Sequence, residues 1–262
     1  MKTISLLEGF FAYLGAFIMH LCVTMGALVL FLFQVIKTLF TTRLKVRKTL
    51  VQIEDIGVDS WIIAILTGIF AGAVLTLQSY IGFKRYGGQE FVGPVVALSM
   101  ARELGPVITG LMVTGRAGSA IAAEIGTMRI TEQIDALQTL AINPIQYLVI
   151  PRMIAGVIVL PFLTVFATMF GILGGYFIAT NGLGLNGEQF INGIKKYLEF
   201  SDITSGLIKA AWFGFILTWV GCFKGYVASG GARGVGIATT QSVVMGSILL
   251  ILANYFLTAI LF

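Results

Sequence analysis

Charged residues are scarce in this sequence. Only 11% of its 262 residues are Asp, Glu, Lys or Arg, whereas 57% are hydrophobic. A soluble globular domain has about a quarter charged residues and about half apolar residues, so both values indicate an integral membrane protein. The net charge is +5, but the basic residues lie in clusters between apolar runs. That distribution favours an orientation signal over a nucleic-acid-binding surface.

Residues with reactive or metal-binding side chains are equally scarce. The two cysteines, Cys22 and Cys222, both lie in apolar segments, so we expect buried, unreactive thiols and no disulfide framework. His20 is the only histidine and also lies in an apolar run, where a packed or interfacial side chain is the default. The sequence contains no GxxxxGK[ST] phosphate loop and no HExxH, CxxC or GxSxG motif. We therefore expect no catalytic site, metal or cofactor in this chain.

Long apolar segments predict five membrane spans. A helix needs ~20 residues to cross a bilayer at a rise of ~1.5 Å per residue. Three windows of sufficient length carry no charge, a fourth contains Arg102 and Glu103, and a fifth contains Lys209 near its start. In chain order the predicted spans are residues 60–83, 91–115, 153–187, 203–223 and 234–262.

The first apolar run, residues 9–36, has two interpretations. It is long enough for a sixth span, and it also suits a helical pair that lies in one leaflet. A basic patch follows it at residues 43–48. Because cytoplasmic loops are enriched in Lys and Arg, we predict that this patch and Arg129 are cytoplasmic and that residues 181–196 and Phe262 are external.

One amphipathic segment separates two of the predicted spans. Its sequence is AAEIGTMRITEQIDALQTLAINP, and the spacing of its polar residues predicts a helix over 122–140 that ends before Asn143 and Pro144. Two interpretations remain: a surface helix that ties two spans together, or a docking element for a cytoplasmic partner.

Glycines recur four residues apart within several apolar runs. This spacing permits close approach of helix backbones, and we expect most of these pairs to pack within the chain. The pairs are Gly68/Gly72, Gly171/Gly175 and Gly221/Gly225.

Arg102 and Glu103 stand in the middle of the predicted second span. Adjacent residues of a helix point ~100° apart, so each charge needs its own partner or a water-filled cavity. A charge at the centre of a membrane helix costs ~2.5–3.5 kcal/mol on insertion scales. Either neighbouring spans satisfy both charges and fix the packing, or at least one charge lines a cavity for an amphiphilic or charged substrate.

The helix faces favour the cavity. Pro106 removes a backbone donor within one turn of the charges and loosens the helix there. Helical spacing places Ser99, Arg102, Pro106 and Thr109 on one side of this span. The same spacing places Leu75, Gln78, Ser79, Gly82 and Tyr86 together on the preceding span. The resulting surface is partly apolar and partly polar.

These segments resemble the signature core of the MlaE-type permease family, the membrane subunits of Mce-associated ABC transporters. The resemblance covers roughly residues 50–260 and is densest from 96 to 152. It rests on LTLQSY (75–80), VALSMARELGPV (96–107), GRAGSAIAAEIGTMRITEQIDAL (115–137) and NPIQYLVIPR (143–152).

The resemblance implies an all-α integral membrane fold, with five transmembrane helices preceded by an N-terminal interfacial or elbow helical segment. It divides the chain into that segment, residues 1–50, and a permease domain, residues 51–262. It further implies a homodimer in the inner membrane, cytoplasmic ATPase subunits and an MCE-domain protein on the periplasmic side. The implied cargo is a phospholipid or related lipid, moved between the inner membrane and the outer envelope. The alternative is a non-translocating scaffold or assembly subunit.

The resemblance also implies two sets of functional residues. The helix at 122–140 is similar to the family's segment that couples to the ATPase, and its coupling residues are then Glu124, Arg129, Glu132 and Asp135. A lipid path near the dimer axis is then lined by Leu75, Tyr86, Arg102 and Glu103.

Overall fold

The computed structural model describes the backbone of residues 2–42 and 44–261, and their side chains except for 2–14, 17, 20 and 21. The expectations for the side chain of His20, for Arg43 and for Phe262 fall outside these residues. The described part of the chain is almost entirely helical and contains no strand. Its α-helices are α1 (Lys2–Thr41), α2 (Val46–Gly57), α3 (Trp61–Lys84), α4 (Val92–Ser99), α5 (Gly105–Val113), α6 (Ser119–Ile130), α7 (Gln133–Thr139), α8 (Ile150–Phe177), α9 (Gly187–Tyr197), α10 (Phe200–Tyr226) and α11 (Gly231–Leu261).

Six helical stretches in the described residues are long and apolar enough to cross a membrane. The last five contain the core of each span predicted from the sequence. The first belongs to α1, which is one continuous helix of 40 residues and not a helical pair. The stretches are Cys22–Thr41, Val46–Lys84, Gln89–Ile130, Ile145–Gly182, Phe200–Tyr226 and Gly231–Leu261.

The two ends of the helix bundle carry different short helices. At one end, α2 lies beside α6 and the start of α8. At the other end, α9 packs on α4, and a Cβ added to Gly93 would lie 2.6 Å from the carbonyl oxygen of Phe190. We refer to these as the α2 end and the α9 end.

Helices α3 and α8 cross with their backbones in contact. A Cβ on Gly72 would lie 1.9 Å from the carbonyl oxygen of Gly171, and a Cβ on Gly68 would lie 2.3 Å from that of Ala167. Only glycine permits this approach. Gly221 and Gly225 of α10 are similarly close to another backbone. A Cβ on Gly221 would lie 3.0 Å from the carbonyl oxygen of Gly118, and a Cβ on Gly225 would lie 2.9 Å from that of Ala122. The expectation of close packing within the chain is confirmed.

The two cysteines are both free, but only one is buried. Cys222 lies in the core between the helices, as expected. Cys22 is exposed, so the expectation of a buried thiol is wrong there. The reason is that α1 turns a narrow stripe, which includes Leu28, Phe31 and Val35, toward the bundle, and Cys22 precedes that stripe.

The helix that carries the charged pair is not a regular α-helix. A π-helical turn, Met100–Leu104, separates α4 from α5, and π-turns occur frequently at functional sites. The extra residue in this turn changes the register of the helix faces. Of the residues predicted to share one side, Pro106 and Thr109 are buried, whereas Ser99 and Arg102 are partly exposed.

Candidate functional site

Arg102 and Glu103 lie toward the α9 end of the bundle and not at its centre. The partner of Arg102 is Asp202, the third residue of α10. The partner of Glu103 is Lys209, about 10 Å further along the same helix at the usual helical rise. The pair stands in the middle of the predicted span 91–115, but the helical stretch Gln89–Ile130 continues well past that window.

The guanidinium of Arg102 pairs with a buried carboxylate. Its Nε donates to Oδ1 of Asp202 at 2.6 Å, and the two side chains form an ion pair. Asp202 also accepts a hydrogen bond from the backbone N–H of Glu199 at 2.9 Å, which closes a capping box at the start of α10. Asp202 is buried, while the side chain of Arg102 is 40% exposed. The guanidinium is therefore fixed in place with one side accessible.

Glu103 is held in the same manner by a buried lysine. Lys209 forms an ion pair with Glu103 and donates to the hydroxyl of Thr258 at 2.9 Å. Asn254 donates its side-chain N–H to the second carboxylate oxygen of Glu103 at 3.1 Å. Lys209 is fully buried, while the side chain of Glu103 is 35% exposed. Helices α10 and α11 thus fix the carboxylate from two sides.

Pro106 explains a further contact of Lys209. In a regular α-helix the carbonyl of Arg102 accepts a hydrogen bond from the N–H of residue 106, which proline lacks. Nζ of Lys209 donates to that carbonyl at 3.1 Å. The loosening expected from Pro106 is therefore accompanied by a donor from a neighbouring helix.

The four charged side chains form a cluster with a buried side and an accessible side. Asp202 and Lys209 supply the buried side, and Arg102 and Glu103 supply the accessible side. Neighbouring spans do satisfy both charges of the pair, and the pair still faces outward from the chain. The sequence analysis missed Asp202 and Lys209 as partners, although their seven-residue spacing places them on one helix face.

The other two residues assigned to the lipid path, Leu75 and Tyr86, differ in their surroundings. Leu75 packs against a buried apolar group formed by Val92, Val96, Met100, Ala179 and Phe190. Tyr86 follows the end of α3, is 87% exposed and lies outside the hydrogen-bonded cluster. Neither Leu75 nor Tyr86 takes part in the ion pairs and hydrogen bonds found around the charged pair in the described residues.

The segment predicted as one helix over 122–140 is broken into α6 and α7. Glu132 adopts a left-handed conformation with φ of 59°, which ends the helix because this region is unfavourable for non-glycine residues. The break turns the chain so that Ile134 is buried and Arg129 pairs with Asp135 at 2.7 Å. The prediction of a single helix is wrong because the amphipathic pattern runs through the break without interruption.

The four residues assigned to ATPase coupling therefore differ in their surroundings. Glu124 is exposed, but it pairs at 2.7 Å with the buried Arg152. Arg129 and Asp135 pair with each other across the break. Glu132 is exposed, and no ion pair found in the described residues includes it.

The described residues were also compared with the side-chain groups that hold metal ions. Among them, no three His, Cys, Asp or Glu side chains come together as a metal site requires.

The fold and the charged cluster define a class: a multi-pass membrane protein whose polar site lies between apolar helices. The profile of the permease MlaE family matches residues 49–260. The chain therefore belongs to the MlaE permease family, and the resemblance found in the sequence is confirmed. Together with the six apolar stretches, this membership establishes a multi-pass protein of the inner membrane.

Several curated proteins are similar over most of the chain. A probable ABC transporter permease protein of Rickettsia conorii is 45% identical over 239 residues, which cover 91% of this chain and 92% of the relative. The intermembrane phospholipid transport system permease protein MlaE of Haemophilus influenzae is 39% identical over 212 residues, or 80% and 81% of the two chains. The chloroplastic protein TRIGALACTOSYLDIACYLGLYCEROL 1 of Arabidopsis thaliana is 38% identical over 229 residues, or 87% and 65%.

Proposed function

We propose that this chain is the permease subunit of an ABC transporter that moves phospholipids or related lipids between the inner membrane and the outer envelope. The observation that supports this proposal most directly is the accessible pair Arg102 and Glu103, which buried residues of α10 hold in place. In this proposal Leu75 supplies an apolar contact. A lipid requires both polar and apolar contacts, and the donors of arginine match the oxygens of a phosphate. The relative from Haemophilus influenzae is named as a phospholipid transport permease, which supports the same cargo.

In this proposal, a separate cytoplasmic subunit hydrolyses ATP. The chain has no phosphate loop, and several relatives are named as ABC transporter permeases. The broken segment α6–α7 is the proposed docking element, with the exposed Glu132 at its turn. Glu124, Arg129 and Asp135 would support the shape of this element through their ion pairs.

The functional unit is proposed to be a homodimer that also binds an MCE-domain protein on the periplasmic side. Support for the homodimer comes from α11, few of whose residues are buried within one chain. The same helix supplies Asn254 and Thr258 to the charged cluster. A second copy packed on α11 would thus lie close to the proposed lipid path. The MCE-domain partner is supported by the family resemblance.

We propose five transmembrane helices preceded by α1 as an interfacial or elbow helix, with the α2 end in the cytoplasm. The ring of Phe31 lies 5.7 Å from that of Phe223 and 5.6 Å from that of Tyr226, close to the end of α10. Further along α1, Leu39 shares an apolar groove with Ile158 of α8. These partners all belong to the half of the bundle near the α2 end, as an oblique helix in one leaflet requires.

The orientation is tested by labelling single cysteines from outside in a chain without Cys22 and Cys222. Asn192→Cys, on the exposed surface of α9, should react with an impermeant reagent, and Glu132→Cys should not. The reverse pattern would place the α2 end outside and contradict the proposal.

The lipid path is tested in proteoliposomes that contain the permease and its ATPase subunit. Arg102→Ala and Leu75→Asp should each slow lipid transfer and reduce cross-linking of lipid to a photoreactive group at position 86, with the dimer intact. A scaffold subunit would instead lose assembly in these variants. Normal transfer by an intact Arg102→Ala, Glu103→Ala double variant would refute the path.

Robust ATP hydrolysis by the isolated chain would refute the assignment of hydrolysis to a partner.

A further inference from the structure

A groove of about 670 Å³ opens at the α2 end, between α2, α6 and the segment that leads into α8. Its rim carries the basic residues Arg47 and Lys48, one wall is formed by Val51, and its floor contains Arg152. We call it the α2 groove. It lies at the opposite end of the bundle from the cluster at Arg102.

Basic side chains converge on the rim of the α2 groove, and the described part of the chain shows no ion pair that includes them. The ammonium groups of Lys45 and Lys48 lie 4.6 and 4.0 Å from the ring centre of Tyr147. Arg47 extends from the same turn of the chain. None of the ion pairs found in the described residues uses Lys45, Arg47 or Lys48. Because like charges held close together repel each other, a bound anion would stabilise this arrangement.

The acidic residues of the α2 groove cancel only part of this charge. Glu124 is neutralised by Arg152, which also donates to the carbonyl of Leu148 at 2.7 Å. Asp55 accepts a hydrogen bond from Gln52 at 3.1 Å. The Nε of Arg152 is buried and has no hydrogen-bond partner among the described residues. Arg152 and Glu124 therefore offset each other, and the net positive charge of the groove comes from its basic rim.

Exposed apolar side chains neighbour the basic residues of the rim along the chain, and one of them, Val51, lines the groove. Leu44, Val46, Leu50 and Val51 are all about half exposed or more, and they alternate with the basic residues of the rim. A helix with basic and apolar residues side by side is typical of the headgroup region of a membrane. A soluble anion leaves these apolar side chains in water, whereas a lipid covers them with its acyl chains. The charge and the apolar rim together therefore favour a lipid.

We propose that the α2 groove binds the headgroup of an anionic phospholipid from the leaflet at the α2 end. Arg47 and Lys48 contact the phosphate, and the acyl chains lie along the exposed apolar residues of α2. This site is separate from the lipid path at Arg102, and its occupation does not depend on transport. A variant that no longer binds lipid in the α2 groove can therefore still be tested for lipid transfer, and the reverse also holds.

The proposal is tested on the purified full chain in neutral detergent micelles. The probes are fluorescent phosphatidylglycerol and phosphatidylcholine with identical acyl chains, and inorganic phosphate as a competitor. The charge variant is Arg47→Gln, Lys48→Gln, and the matched control is Lys195→Gln, Lys196→Gln on α9, which removes the same charge from an exposed surface at the other end. Val51→Trp fills the groove and leaves the charge unchanged.

We expect the wild-type chain to bind phosphatidylglycerol more tightly than phosphatidylcholine. The charge variant should bind phosphatidylglycerol roughly 30-fold more weakly, from about 1 kcal/mol for each basic residue at an anionic surface. The control should bind normally, Val51→Trp should bind weakly, and Arg47→Lys, Lys48→Arg should retain binding.

Five results would overturn the proposal. Equal binding of the two lipids would show that the anionic headgroup is not recognised. An equal loss in the control would indicate a general effect of charge, and normal binding by Val51→Trp would place the lipid outside the groove. Complete displacement by inorganic phosphate would indicate a site for a soluble anion. If the wild-type chain binds neither lipid, but its ATPase subunit protects residues 47 and 48 from modification, the groove is a protein-docking surface.

Discussion

Replacing Lys209 by methionine isolates the contribution of the buried cation to the charged cluster. Methionine keeps much of the apolar length of lysine and removes the charge and the donors. Lys209 is fully buried and contacts the carboxylate of Glu103, the hydroxyl of Thr258 and the carbonyl of Arg102. The variant therefore leaves Glu103 without its counter-charge.

The structure sets the expected size of this effect. Removing one partner of a buried ion pair costs about 3–5 kcal/mol. Because the side chain of Glu103 is 35% exposed, water offsets part of this cost, and we expect about 3 kcal/mol. For a chain of this length, that change lowers the midpoint of thermal unfolding by on the order of 10 °C. The double variant Lys209→Met, Glu103→Gln should regain most of the loss, since no unpaired charge remains.

The assay is thermal unfolding of the wild type, both single variants and the double variant in the same detergent, followed by tryptophan fluorescence. These four proteins form a cycle that yields the coupling energy between the two residues. Lys195→Met, which removes an exposed lysine from α9, is the control and should unfold like the wild type. The reasoning is refuted if Lys209→Met unfolds at the wild-type temperature, or if the double variant is as unstable as Lys209→Met. Lipid transfer adds a second readout, because the double variant should be stable and still transfer lipid poorly.

Two further predictions concern helix packing and the coupling segment. Gly72→Ala should destabilise the chain by about 1–3 kcal/mol because its Cβ would meet the backbone of α8, whereas Gly82→Ala has open space and should not. Equal unfolding temperatures for these two variants would contradict the described crossing of α3 and α8. Glu132→Lys should weaken ATPase binding without loss of stability, while Glu124→Lys should lower stability because it places a second cation beside the buried Arg152. Destabilisation by Glu132→Lys with none by Glu124→Lys would reverse the roles assigned to them.

Features that depend on local composition could be predicted from the sequence. Five apolar windows correspond to five of the six long helical stretches, because the requirement for an apolar helix of bilayer length acts on each segment separately. The glycine spacing correctly indicated close helix packing, since a backbone can approach another only where side chains are absent. The family was recognisable because its motifs are contiguous, and the match over residues 49–260 confirms it.

The surroundings of the charged pair were decided only by the tertiary structure. Arg102 and Asp202 are 100 positions apart, and Glu103 and Lys209 are 106 apart, so no local pattern connects them. The break at Glu132 likewise depends on the burial of Ile134. By itself, the sequence determined the apolar helices, the membrane class and the family. Helix packing decided which charges meet and which side of them stays accessible, because a buried charge is stable only where another element supplies its partner.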